Sequence, residues 1–174
     1  MENDEEGKWM NLSKFERLLL INQYEILSRL DPENNDIYAR NIEILEQGYK
    51  AHYSDFVEWM SDDIPEEVTN EALDILNMYR ELKFSYLDLD EKEKKKVDEK
   101  ELKFRGFDGN NEGVYMNYVR FFIHKLDRFD ELRDEYEDYN THMPMLSKYR
   151  RMLNVLDSIK DRDDYRRLTV EEIN

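Results

Sequence analysis

The chain has 174 residues, 40% hydrophobic and 39% charged, with a formal net charge of −16 and no cysteine. Disulfides and thiolate chemistry are therefore excluded, and the negative field weighs against nucleic acid and anionic membrane as partners. Five glycines and three prolines are too few to punctuate an all-β fold.

Residues 1–10 read as a flexible acidic tail, the opposite of a signal peptide, and residues 11–63 as a helical hairpin subdomain. Ser13 and Glu16 have the spacing of a capping box, in which hydroxyl and carboxylate satisfy amide donors at a helix start. The helix that follows, to about Leu30, carries Phe15, Leu19, Ile26 and Leu30 on one side and Leu20, Tyr24 and Leu27 on another, which predicts burial on two sides. Asn22 and Gln23 interrupt its apolar surface. Buried amides there would fix a helix register or an oligomer contact, and a narrow polar strip open to water fits the same residues. Asp31-Pro32 ends this helix and starts the next, with Asp31 as cap. Tyr38, Ile42, Leu45 and Tyr49 then recur at spacings of 4, 3 and 4, with Gly48 marking a break. The two helices read as an antiparallel hairpin, and His52 to Met60 as a short helix.

Residues 64–174 read as a larger helical subdomain. Val68, Ala72, Ile75, Tyr79, Leu82 and Tyr86 recur at 4, 3, 4, 3 and 4, a heptad-like seam suited to packing inside a bundle or against another subunit. Residues 88–103 form a charged linker, a helix end fraying into a loop, laced by pairs such as Glu91 with Lys95. The turn Gly106-Phe107-Asp108-Gly109 leads into the longest aromatic segment, where Tyr115, Val119, Phe122, Leu126 and Phe129 share one helical face and Val114, Tyr118 and Phe121 flank it. Asp108, Asn110 or Asn111 is the expected cap of that helix. An acidic stretch from Asp127 to Asn140 is thin in apolar residues. Pro144 opens a helix bearing Leu146, Tyr149, Leu153 and Leu156; after a charged turn from Lys160 to Arg167, Leu168-Thr169 with Glu172 is a further helix start. Six or seven helices are predicted in all.

Several segments together resemble the YfbU family of small bacterial proteins. They are Glu16-Arg17-Leu18 through Asn22-Gln23-Tyr24, Leu30-Asp31-Pro32, Gly48-Tyr49, Gly106-Phe107-Asp108 and Tyr118-Val119-Arg120-Phe121. Met143-Pro144-Met145, Lys148-Tyr149, Arg151 to Val155, and Leu168-Thr169 with Glu172-Ile173-Asn174 complete the match, in order, over nearly the whole chain from Lys14. The charged stretch Glu91 to Lys100 is longer than the family pattern, and the family's final helix is curtailed. The resemblance implies an all-helical, oligomeric cytoplasmic protein; it supplies no activity and no catalytic residues.

Chemistry has few candidates. His52 with Asp55 and His124 with Asp127 have i, i+3 spacing, yet carboxylates are so abundant that such pairs arise by chance, and no HExxH or paired ExxH pattern exists. No metal and no cofactor is expected. Arg120 and His124 lie one turn apart, where imidazole could serve as acid or base and guanidinium could hold phosphate. The pair faintly resembles that of helical ribonucleases of the HEPN type, which set four to six residues between the two; here there are three. The glycine-rich stretch Gly106 to Gly113 lacks the Lys-Ser/Thr of a phosphate loop and the acids of an EF-hand, and reads as a turn.

The sequence therefore predicts an all-α bundle with an N-terminal hairpin and a larger C-terminal lobe, in the cytoplasm. Its expected role is that of a non-enzymatic interaction or scaffold protein that self-associates as a homo-oligomer, with room for an unidentified protein partner. Interface candidates are Leu19, Leu20, Tyr24 and Leu27 on the first helix and Ile75, Tyr79 and Leu82 on the long seam. The alternative is a hydrolase or ribonuclease-like enzyme using Arg120 and His124.

Overall fold

The computed structural model describes residues 10–133, 138–159 and 166–174. The expected acidic tail, save Met10, and most of the charged turn from Lys160 to Arg167 lie outside the described residues. Within them the chain is all-α: regular structure is helical, and one isolated bridge pairs Phe107 with Asn140. The chain divides into two compact units, Met1–Asp63 and Ile64–Asn174.

In the first unit, α1 (Lys14–Leu30) and α2 (Asn35–Gln47) form an antiparallel hairpin joined by a 3-10 turn at Pro32–Asn34. Gly48 ends α2 with φ at +72°, the left-handed conformation that glycine adopts without a Cβ penalty. The short helix expected over residues 52–60 is instead a pair of 3-10 turns, Lys50–His52 and Ser54–Phe56. These turns set Phe56 against Tyr24 and Tyr53, with ring centroids 6.0 and 6.3 Å apart.

The second unit is built on α3 (Glu66–Asp88), whose Ala72, Ile75, Leu76, Met78, Tyr79, Leu82 and Ser85 are all buried. The charged linker that follows holds two short helical pieces, α4 (Glu91–Lys94), closed by a capping box between Asp90 and Glu93, and a 3-10 helix at Glu99–Leu102. α5 (Gly113–His124) and α6 (Leu146–Ile159) pack on α3, and α7 (Val170–Ile173) starts at a capping box between Thr169 and Glu172. Leu168 N–H donates to the buried Ser85 Oγ at 2.9 Å, pinning the last segment to α3.

At the centre is an aromatic box. Tyr149 meets Tyr79 and Phe107 edge-on, at 5.5 Å in both cases, and Phe104 lies between them. Two loops close it. Phe107 N–H donates to Tyr139 O at 2.8 Å and Thr141 N–H to Phe107 O at 3.0 Å. The approach is so close that a Cβ on Gly106, at φ +93°, would stand 1.9 Å from Tyr139 O. Tyr149 OH donates to Gly106 O at 2.8 Å, and burial pushes its phenol well above the ordinary value, so it stays the protonated donor that this bond needs.

Two expectations are corrected here. α5 ends at His124, short of Phe129, and its buried side is Met116, Val119 and Ile123, while Phe122 is half-buried and Phe121 and Leu126 are exposed. The helix is apolar nearly all round, so periodicity alone cannot phase it. The residue that caps this region is not Asp108 or an asparagine acting on α5. Glu112, buried at the start of α5, reaches across to accept from Met145 N–H (2.9 Å) and Leu146 N–H (2.8 Å) at the start of α6, and from Asp108 N–H (3.1 Å). Asp108 instead organises its own turn, accepting from Asn110 N–H and the Asn111 amide.

Candidate interaction surface

α1 is held at both ends and along one side. Glu16 N–H donates to Ser13 Oγ at 3.2 Å and Ser13 N–H to Glu16 Oε2 at 2.8 Å, closing the capping box read from the sequence. The Ser13 amide in particular holds the Glu16 carboxyl below its ordinary value. At the other end Asp31 Oδ2 accepts from Asn34 Nδ2 at 2.9 Å and Tyr38 OH at 2.8 Å, which keeps its carboxyl low and the Tyr38 phenol high. Asp31 thus anchors side chains and does not cap α2 by its own carboxylate. Arg17 reaches α2 and donates to Leu45 O at 2.8 Å, where a cation suits the negative end of the helix.

Despite these anchors, no residue of α1 is buried. Leu20, Ile21, Tyr24 and Ser28 are half-buried on the side that meets α2, where Tyr24 stacks on Tyr38 at 6.1 Å. On the other side Phe15, Leu18, Leu19, Ile26 and Leu30 are open, Phe15 at 68% and Leu30 at 76% exposure. An exposed apolar patch of this kind marks an interaction site more often than an idle surface. The same unit has an open groove of about 670 Å³ lined by Tyr24, Tyr49, Phe56 and Trp59, with His52 Nδ1 at 3.1 Å from Asp55 Oδ2 on its wall.

The interface candidates part company in the structure. Leu19 and Leu27 are exposed, Leu20 and Tyr24 half-buried, and Ile75, Tyr79 and Leu82 buried in the core of the second unit. The long seam is consumed within its own unit, because α5, α6 and the 104–107 loop pack on it from more than one side. Its buried Ile75, Tyr79 and Leu82 leave little surface for another subunit.

The structure gives Arg120 and His124 separate contacts. Arg120 Nε donates to Asp138 O at 2.6 Å, with its guanidinium 3.5 Å from the Asp138 carboxylate, so it fastens the loop that bridges to Phe107. His124 is exposed and lies against the Tyr139 ring at 5.6 Å. Elsewhere in the second unit Glu71 accepts a two-pronged pair from Arg150 at 2.6 and 2.8 Å and a bond from Tyr115 OH, joining α3, α5 and α6. The Arg150 hydrogen bond is the main reason the Glu71 carboxyl sits low. A cleft of about 420 Å³ lies between α3 and α6, walled mainly by apolar groups such as Met78, Leu82, Met152 and Leu156. Among the described residues no group of three or more His, Asp or Glu is arranged to hold a metal ion, and no helix is long and apolar enough to cross a membrane.

The described residues thus define an all-α protein in two helical units, whose most prominent exposed chemistry is one apolar helix face. The YfbU domain model matches residues 10–174. A UPF0304 protein of Methanocaldococcus jannaschii is 37% identical over 150 residues, covering 84% of this chain and 88% of the relative. The chain belongs to the YfbU family.

Proposed function

We propose that this protein works by binding rather than by catalysis, as a helical interaction or scaffold protein that self-associates through the outer face of α1. One observation carries the reading: among its described residues the first unit buries only Leu45 and Tyr53, while α1 leaves an apolar stripe in water. A unit of this size with so thin a core is marginal alone, and covering the stripe supplies the burial it lacks. A second copy is the natural cover, since an identical chain brings an identical apolar stripe.

Light scattering coupled to size exclusion tests this. The expected mass is about twice 21.4 kDa at micromolar concentration, falling to the single-chain mass on Leu19→Glu, which places a charge in the stripe. Leu19 is exposed, so the variant should keep its helical circular dichroism. A wild-type mass of 21.4 kDa across micromolar concentrations overturns the proposal.

A further inference from the structure

Resting on that reading, we infer that α1 is covered by α1 of a second copy, laid antiparallel across a two-fold axis that passes between Asn22 and Gln23. The helix carries the required symmetry in its own sequence. Counting outward from that point, Leu19 is matched by Ile26, Leu18 by Leu27 and Phe15 by Leu30. Exposure follows the same symmetry, at 49 and 51%, 52 and 39%, and 68 and 76% for the three pairs.

Antiparallel pairing about this axis sets each residue level with its match in the other copy. At about 100° per residue Leu19 and Ile26 lie at the centre of the face, Phe15 and Leu30 about 30° to either side, and Asn22 and Gln23 about 50° to either side. The core layers are then Leu19 on Ile26 and Phe15 on Leu30, each made twice. Near the axis a residue meets its own copy, so Asn22 faces Asn22 and Gln23 faces Gln23. An amide is both donor and acceptor and can satisfy its own copy, whereas a charged residue in that place would face its own charge. Glu16 and Arg29, the charges nearest the stripe, lie toward the helix ends. At 1.5 Å per residue each stands about 20 Å along the axis from its own copy, beyond the screening length of about 8 Å at physiological salt. The net charge of −16 is thus kept out of the seam. The amides fix the register, since sliding the helices would set Asn22 or Gln23 against an apolar residue.

The absence of cysteine allows a clean test. Leu19→Cys and Ile26→Cys are made as separate full-length proteins, one of them isotopically heavy, mixed and mildly oxidised, and the covalent dimers are weighed by mass spectrometry. The mixed dimer should dominate, and each variant alone should cross-link poorly. Two copies of position 19 lie about 10 Å apart along the axis, beyond disulfide reach, whereas 19 and 26 lie level. Asn22→Asp should weaken association by roughly tenfold or more at neutral pH, because two carboxylates then meet. Efficient cross-linking of each variant with itself would mean a parallel pair and overturn the inference. A dimer by light scattering that gives no mixed cross-link would place the interface elsewhere, overturning this inference and leaving self-association standing. A monomer overturns both.

Discussion

Glu112 does more for the second unit than its place at the start of α5 suggests. Its two oxygens receive the amides of Met145 and Asp108 in a buried setting and of Leu146 in a half-buried one, so the side chain serves as the cap of a helix 33 residues away. Glu112→Ala leaves those donors without an acceptor and should lower stability by roughly 2–3 kcal/mol, read from denaturant unfolding. Glu112→Gln keeps one acceptor oxygen and should cost less; equal losses would show that the cavity matters and the hydrogen bonds do not. Glu172 provides a pH test. Its carboxyl is held down to about 2, chiefly by Arg166, whose guanidinium reaches both oxygens at 2.7 Å. The folded pKa is depressed, so the contribution is complete above the ordinary value of 4.5 and is lost as pH falls from there toward 2. Carboxyl NMR should show Glu172 titrating near the bottom of that window, and Arg166→Gln should move it up; a wild-type midpoint near 4.5 would mean that the pair does not hold in solution.

At the scale of elements, α5 separates what side-chain pattern reveals from what it hides. Ile123 is fully buried and Phe121 is half exposed, although both sit in an apolar run. Ile123→Ala should therefore cost about 2–5 kcal/mol, and Phe121→Ala far less; the reverse order would restore the face first read from spacing. That face, through Tyr115, Val119, Phe122, Leu126 and Phe129, was only half legible, since a helix apolar on all sides has no polar strip to phase it. Local signals were legible in part, since the expected caps at Asp31 and Asp108 do not form. The capping boxes at Ser13 and Thr169 need only residues three apart, and both close as read. The Glu112 clamp was not legible, because its donors are distant in sequence. Nor was the left-handed backbone at Asp127, Phe129, Tyr139 and His142, which side-chain type points to glycine or asparagine. Of the candidate surface, sequence gave the apolar stripe on α1 but not which of two apolar helices keeps its face in water; α3 is consumed by its own unit and α1 is not.

For the whole molecule the governing quantity is charge. Each copy carries −16, so two copies repel, while the attraction proposed between them is apolar and indifferent to salt. The screening length shrinks from about 30 Å at 0.01 M to about 8 Å at 0.15 M. Association should accordingly tighten between those ionic strengths, as followed by sedimentation velocity. Loosening with salt would point to an interface made of ion pairs.

The clamp at Glu112 also has a consequence in time. A ribosome delivers Glu112 well before Met145 and Leu146, so α5 can wind while its first carboxylate still belongs to water. Until those amides arrive the carboxylate has only the Asp108 amide as a partner, and Tyr149, a wall of the aromatic box, has not yet been made. The core around Glu112 and Tyr149 is therefore expected to close only once α6 has been made.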